Sequence, residues 1–121
     1  MNEINSHLDL DVYKYSVDTV VRLYELTDNF PGGEKFGLVS QIRRAAVSIV
    51  ANIAEGAERQ TTKEFIQFLY ISKGSCSEVK SLLEISMKLK MVSSDTYEFL
   101  LSELNKISKM LFGLIKSLKR K

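Results

Sequence analysis

One position in the chain forbids a continuous helix. Pro31 is the sole proline, and it lies in "NFPGGEKFG" beside Gly32, Gly33 and Gly37, the one strong loop signal in the sequence. On both sides of that break apolar side chains recur at three- and four-residue steps, and no alternating strand pattern competes with them. Long helices joined by short connections are the consequence.

Four helices are predicted. The first spans about 9–29, with Leu10, Tyr13, Val17, Val20, Val21 and Tyr24 as its core face, and Val12, Thr19, Leu23, Leu26 and Phe30 behind that stripe. The second spans 38–55 on Leu38, Ile42, Ala45, Ile49 and Ile53; Gly56 is placed to end it, because glycine enters the left-handed conformation without a Cβ penalty. The third, 62–90, opens on the Thr61-x-x-Glu64 capping box and runs through Phe65, Phe68, Leu69, Ser72, Cys76, Val79, Leu83 and Ser86. Asp95 and Glu98 repeat the capping spacing before the fourth, 95–119, whose stripe is Tyr97, Leu100, Leu101, Leu104, Ile107, Leu111, Leu114, Ile115 and Leu118. The expected fold is all-α, an antiparallel up-and-down four-helix bundle forming a single domain over residues 1–121.

Chemistry has few places to reside in this chain. His7 is the only histidine and falls in the expected N-terminal fray, so neither a Ser-His-Asp triad nor a His-based zinc site has candidates. The Glu-x-x-His pairs of di-iron bundles are absent, "PGGE" lacks the Walker spacing, and "KGSCSE" lies inside a periodic helix. Cys76 is the only cysteine, which rules out an intrachain disulfide; on the core face of the third helix it reads as an inert buried thiol. We therefore expect no catalytic residue, no metal and no cofactor, and a protein that is not an enzyme. "MNEINSHLDLD" lacks the features of a secretory signal, and no run approaches the roughly 18 apolar residues of a membrane span, so a cytoplasmic location away from membranes is expected.

Three helices carry apolar or small side chains on a second face. Opposite Ile42 and Ile53 lie Ser40, Val47, Ala51 and Ala54, with Arg44, Ser48 and Glu55 beside them. On the third helix Ile66, Tyr70, Gly74 and Ser77 form a ladder away from Val79 and Leu83, and a mid-helix glycine costs about 1 kcal/mol relative to alanine unless something approaches it closely. Single surface apolar groups are ordinary, whereas coherent stripes mark subunit contacts. A homo-oligomer is expected, with Val47, Ala51, Asn52, Ala54, Glu55, Gly56, Ile66, Tyr70 and Gly74 at or supporting its interface. Asn52 is read as a polar bridge between helices or to a neighbouring chain's backbone, in preference to a ligand-binding group. Glu55, near a helix C-terminus, needs a cation from Arg59, Arg44 or a partner.

Net charge is only +2, but residues 106–121 hold six basic groups and no acid. Arg43, Arg44, Arg59, Lys63, Lys116, Lys119, Arg120 and Lys121 are the candidate nucleic-acid-binding groups; Lys73 and Lys80 add to the same field. A pI near 8.6 falls short of a strongly basic domain, so such binding relies on an oligomer repeating these groups around an axis. The alternatives are a protein-interaction scaffold whose basic groups are merely solvated, and small-molecule binding in an inter-subunit pocket near Asn52 and Glu55.

The pattern Phe30-Pro31, Leu38, Gln41, Arg43-Arg44-Ala45, Ser48-Ile49, Ala51-Asn52-Ile53-Ala54-Glu55-Gly56, Glu64-Phe65, Leu69, Gly74-Ser75 and Glu78 resembles the 23S rRNA intervening-sequence proteins, a family of four-helix bundles. The resemblance spans nearly the whole chain. It implies a bundle that assembles into a ring, as a homopentamer, and it extends to the accessory protein of diversity-generating retroelements, a pentameric barrel that engages a reverse transcriptase and nucleic acid. RNA, DNA or a reverse-transcriptase-like or other protein partner is thereby implied. Val50 stands where the family commonly has proline, so a kink in the second helix is expected to be weaker or absent.

Overall fold

Residues 7, 10–34 and 36–120 are described by a computed structural model of the chain. The order is α1 (Asp11–Thr27), a 3-10 turn (Gly32–Glu34) in the proline loop, α2 (Leu38–Ala57), α3 (Thr62–Lys88) and α4 (Ser94–Lys119), with no strand among the described residues. None of these helices is long and apolar enough to cross a membrane.

Local chemistry sets the helix ends. The Thr61 hydroxyl accepts from the Glu64 N–H at 3.2 Å and donates to the Glu64 carboxylate at 2.9 Å, so the expected cap forms at the start of α3. At α4 the cap is Ser93, two residues before the expected Asp95: its hydroxyl accepts from Thr96 N–H at 3.1 Å, and Asp95 sits in the first turn, where a negative charge suits the helix dipole. Helix α3 stops at Lys88 because Lys90 turns left-handed, with φ of 66°. Paired bonds from Lys90 N–H to Met87 O and from Met91 N–H to Ser86 O, each 2.9 Å, close that end in a Schellman arrangement.

Two expectations are corrected. Gly56 does not end α2: the helix continues to Ala57, and no described glycine has positive φ. Its small size serves packing, since a Cβ there would lie 2.7 Å from Phe68 Cβ and 3.0 Å from Phe65 Cδ1. The second correction is the orientation of α1. Its buried residues are Val12, Ser16, Thr19, Leu23 and Thr27, whereas Val21 and Tyr24 are 51% and 38% exposed. Both sides of α1 carry apolar groups, and the inward side has three small hydroxyls. Thr19 and Thr27 donate back to the carbonyls of Tyr15 and Leu23, at 3.3 and 2.8 Å, which makes their burial tolerable; Ser16 Oγ is buried without a partner.

The other three stripes face inward as expected. Ile42, Ile49 and Ile53 of α2, Leu69, Val79 and Leu83 of α3, and Leu104, Ile107, Leu111 and Ile115 of α4 are essentially inaccessible to solvent. Helices adjacent in sequence pack together, α1 closes against α4, and the diagonal pairs make no close contact. Partners run in opposite senses: along α2 and α3, Gly56 meets Phe65, Ile49 O accepts from Ser72 Oγ at 2.8 Å, and Ser48 meets Ser75 at 2.8 Å. The Ile49–Ser72 bond is fully buried, so it fixes the register of the two helices as well as satisfying both groups. Helix α2 passes through Val50 without a break.

Candidate nucleic-acid interface

The basic residues singled out in the sequence divide into two groups. Arg43 is committed to α1: its Nε donates to Thr27 Oγ1 at 2.9 Å, its Nη2 to Tyr24 O at 3.1 Å and Asp28 Oδ1 at 2.8 Å, and its guanidinium lies 4.5 Å from the Tyr24 ring centroid. A cation at the α1 C-terminus complements the carbonyl end of the helix dipole, so Arg43 staples α2 to α1. Arg44, one position on, is exposed and reaches only Ser40 Oγ, at 3.5 Å.

The second group gathers about 22 Å further along α2, judged by helical rise from Arg44 to Arg59. Arg59 pairs with Glu55 at 2.8 Å and lies 4.8 Å from the Phe68 ring centroid, which supplies the cation that Glu55 requires. Lys63 opens α3, and Lys116, Lys119 and Arg120 close α4; all four are exposed and belong to helix ends that the antiparallel packing places together. Lys119 Nζ donates to Tyr70 Oη at 3.0 Å, tying the two helices. Lys121 lies outside the described residues.

Between these ends α3 and α4 form a surface that the sequence reading did not identify. Lys73 Nζ is 5.1 Å from the Phe112 ring centroid, Lys116 Nζ is 5.7 Å from the same ring, and Lys80 Nζ donates to Ser108 Oγ at 3.4 Å. Residues 65–77 and 111–120, which pack side by side here, contain no aspartate or glutamate. Charge alone marks Lys73 and Lys80 as contributors to the basic field but not where they lie; antiparallel pairing brings them to the α4 lysines.

The residues expected at a subunit interface are distributed unevenly. Val47 is 40% exposed, Ala51 is exposed and Ala54 is half-buried, on an α2 face that no other helix covers. Asn52 Nδ2 donates to Ser48 O at 2.8 Å and Ser48 Oγ at 2.9 Å, and Ser48 Oγ meets Ser75 Oγ, so the amide is linked to α3 through Ser48. Ile66 packs against the core, and Tyr70 turns toward α4. A Cβ on Gly74 would find nothing within 4 Å, so no contact within the chain accounts for this glycine.

Cys76 is wholly buried, and burial pushes its thiol pKa up to about 11 against the smaller opposing effects of Ser108, Lys80 and Lys73. The thiol is neutral when protonated, so alkali ionises it more readily in the unfolded chain, near pH 8.5. Its contribution to stability is complete below that pH and declines as the pH rises toward 11. Unfolding free energies from urea titrations should therefore fall more steeply between pH 8 and pH 10 for the native chain than for Cys76→Ala, by about 2 kcal/mol at the upper limit. Parallel curves would show that the thiol does not titrate this way. Among the described residues no three His, Cys, Asp or Glu side chains approach closely enough to hold a metal ion.

No curated protein matches the chain. Among solved structures it is similar to a protein of unknown function from the S23 ribosomal protein family of Bacteroides thetaiotaomicron, at 29% identity and a TM-score of 0.78, over 87% of this chain and 98% of the other. The model of the 23S rRNA-intervening sequence proteins matches residues 8–113. With its four helices and a family model that covers residues 8–113, the chain belongs to the 23S rRNA-intervening sequence protein family.

Proposed function

We propose that the chain is a cytoplasmic, non-enzymatic subunit that assembles with copies of itself into a homopentameric ring, and that the ring binds nucleic acid through basic groups repeated by its symmetry. The observation that carries the binding half of this reading is the acid-free pairing of residues 65–77 with 111–120, where Lys73 and Lys116 from the two helices share one surface at Phe112. The family's name refers to an insertion in 23S rRNA and assigns no residue a role. Arg44, Lys63, Lys116, Lys119 and Arg120 are exposed and available to phosphates. Arg43 and Arg59 already hold intrachain partners and act chiefly as braces. Asn52 and Glu55 are likewise engaged, by Ser48 and Arg59, which favours a structural role for both over a ligand pocket.

Fluorescence anisotropy with labelled RNA and DNA tests the reading. Affinity should fall steeply with added salt, with a log–log slope of about −0.7 to −0.9 per phosphate neutralised. The triple variant Lys116→Gln, Lys119→Gln, Arg120→Gln should weaken binding at least tenfold while leaving helix content unchanged. An intact oligomer that binds no nucleic acid at low salt sinks the proposal. Retention of a protein partner, such as a reverse transcriptase, through nuclease treatment would then make the chain a protein-interaction scaffold.

A further inference from the structure

Two aromatic rings on the lysine-bearing surface of α3 and α4 are poorly placed for stability. Tyr70 is 45% and Phe112 48% exposed. Phe112 has ammonium groups from both helices beside its ring, those of Lys73 and Lys116, and Tyr70 has that of Lys119 at 5.4 Å from its centroid as well as on its hydroxyl. Exposed cation–π contacts stabilise a fold only weakly. Next to each cluster lies a bare stretch of helix, since a Cβ at Gly74 or Gly113 would meet nothing within 4 Å. Glycine in an exposed helix interior is a net cost unless a ligand or backbone comes close.

Building on the nucleic-acid reading above, we propose that this surface takes a single strand: bases stack on Phe112 and Tyr70 while Lys73, Lys80, Lys116 and Lys119 hold the flanking phosphates. A duplex satisfies only the second half of this arrangement, because its base faces are already stacked inside the helix. An unpaired strand offers both phosphate charge and free π-faces, the two chemistries displayed here. An acidic peptide would use the lysines and leave the rings idle. The surface extends about 15 Å along α3 from Tyr70 to Lys80; it lies apart from the uncovered α2 face of Val47 and Ala51, and it takes over Tyr70 and Gly74, which the sequence placed at the subunit interface.

The test compares an unstructured RNA oligonucleotide, the same sequence as DNA, and a duplex of equal length, each titrated with the native full-length protein. Both single strands should bind at least tenfold more tightly than the duplex at matched salt. Phe112→Leu keeps apolar cover but removes the π-face, and Tyr70→Leu does the same at the second ring. Each should lower single-strand affinity about tenfold and leave duplex affinity and the thermal midpoint within error. Phe112→Tyr should restore binding. Duplex binding equal to or tighter than single-strand binding, or rings that can be replaced without loss, overturns the single-strand assignment and leaves the broader nucleic-acid reading standing. Binding to none of the three overturns both.

Discussion

Replacing Gly56 with alanine is expected to destabilise the bundle by about 1–3 kcal/mol, even though alanine is the better helix former. In an exposed helix interior the change would gain about 1 kcal/mol. At Gly56 the added methyl would sit 2.7 Å from Phe68 Cβ, 3.0 Å from Phe65 Cδ1 and 3.3 Å from Phe65 O. The Phe65 ring can rotate slightly, but Phe68 Cβ is fixed to the α3 backbone, so relief requires α2 and α3 to move apart. That movement stretches the Ser72–Ile49 bond at 2.8 Å and the Ser48–Ser75 bond at 2.8 Å, both of which span the same two helices. Urea unfolding of Gly56→Ala should therefore show a lower midpoint, and Gly56→Val a larger fall. Gly74→Ala serves as the internal control: with open space around it, the folded chain should be as stable or slightly more so. If Gly56→Ala is as stable as the native chain, the close approach of α2 and α3 at this point is wrong.

The contrast between these glycines shows what periodicity can and cannot report. Where apolar residues occupy one side of a helix, as with Leu104, Ile107, Leu111 and Ile115, burial drives that side inward and the sequence identifies the core directly. On α1 the signal is two-sided. The larger apolar groups, Val21 and Tyr24, face out, and the inward face relies on Ser16, Thr19 and Thr27, small enough to let neighbouring helices approach. A hydropathy stripe ranks that face second because it cannot count hydroxyls satisfied by their own backbone. Gly56 was misread for a related reason: near a helix end, chain termination and close packing both select glycine, and only the position of Phe68 separates them.

The candidate interface was legible as charge and obscure as geometry. The excess of lysine and arginine after Lys106 is plain in the sequence, but nothing in it reveals that Arg43 is consumed by the end of α1. Nor does it show that Phe112 and Tyr70, each on the rim of its helix, meet lysines from the opposite one. Two rims become one surface only through antiparallel pairing, a relation between residues some forty to fifty positions apart. The T-x-x-E spacing before α3 needed no such information, because a cap is a contact between residues three apart.

If the proposed ring forms, substituting Val47→Glu and Ala51→Glu together is expected to convert it to single chains of 13.7 kDa without changing helix content. The correction to α1 strengthens this expectation. Tyr24 lies against Arg43 of α2, so Val21 and Val17, one and two turns earlier on α1, share the side that borders α2. On α2, Val47, Val50 and Ala54 follow Arg43 at steps of three and four and border α1 in turn. Part of the stripe read as the core of α1, Val17, Val21 and Tyr24, therefore joins the outer stripe of α2 in one apolar face, with Val21, Tyr24 and Val47 each more than a third exposed, while Leu10 stays in the core. Apolar faces of this extent are costly to leave in water and are the usual material of subunit contacts. A second copy of the chain is the occupant proposed for this face, since Val47 and Ala51 offer shape without charge; in that contact two unpaired buried carboxylates would cost about 3–5 kcal/mol each, enough to abolish association at micromolar concentration. Sedimentation should report the mass of five chains for the native protein and of one for the variant. A native protein that sediments as one chain removes the ring from the proposed function, and a variant that stays assembled moves the contact to another face.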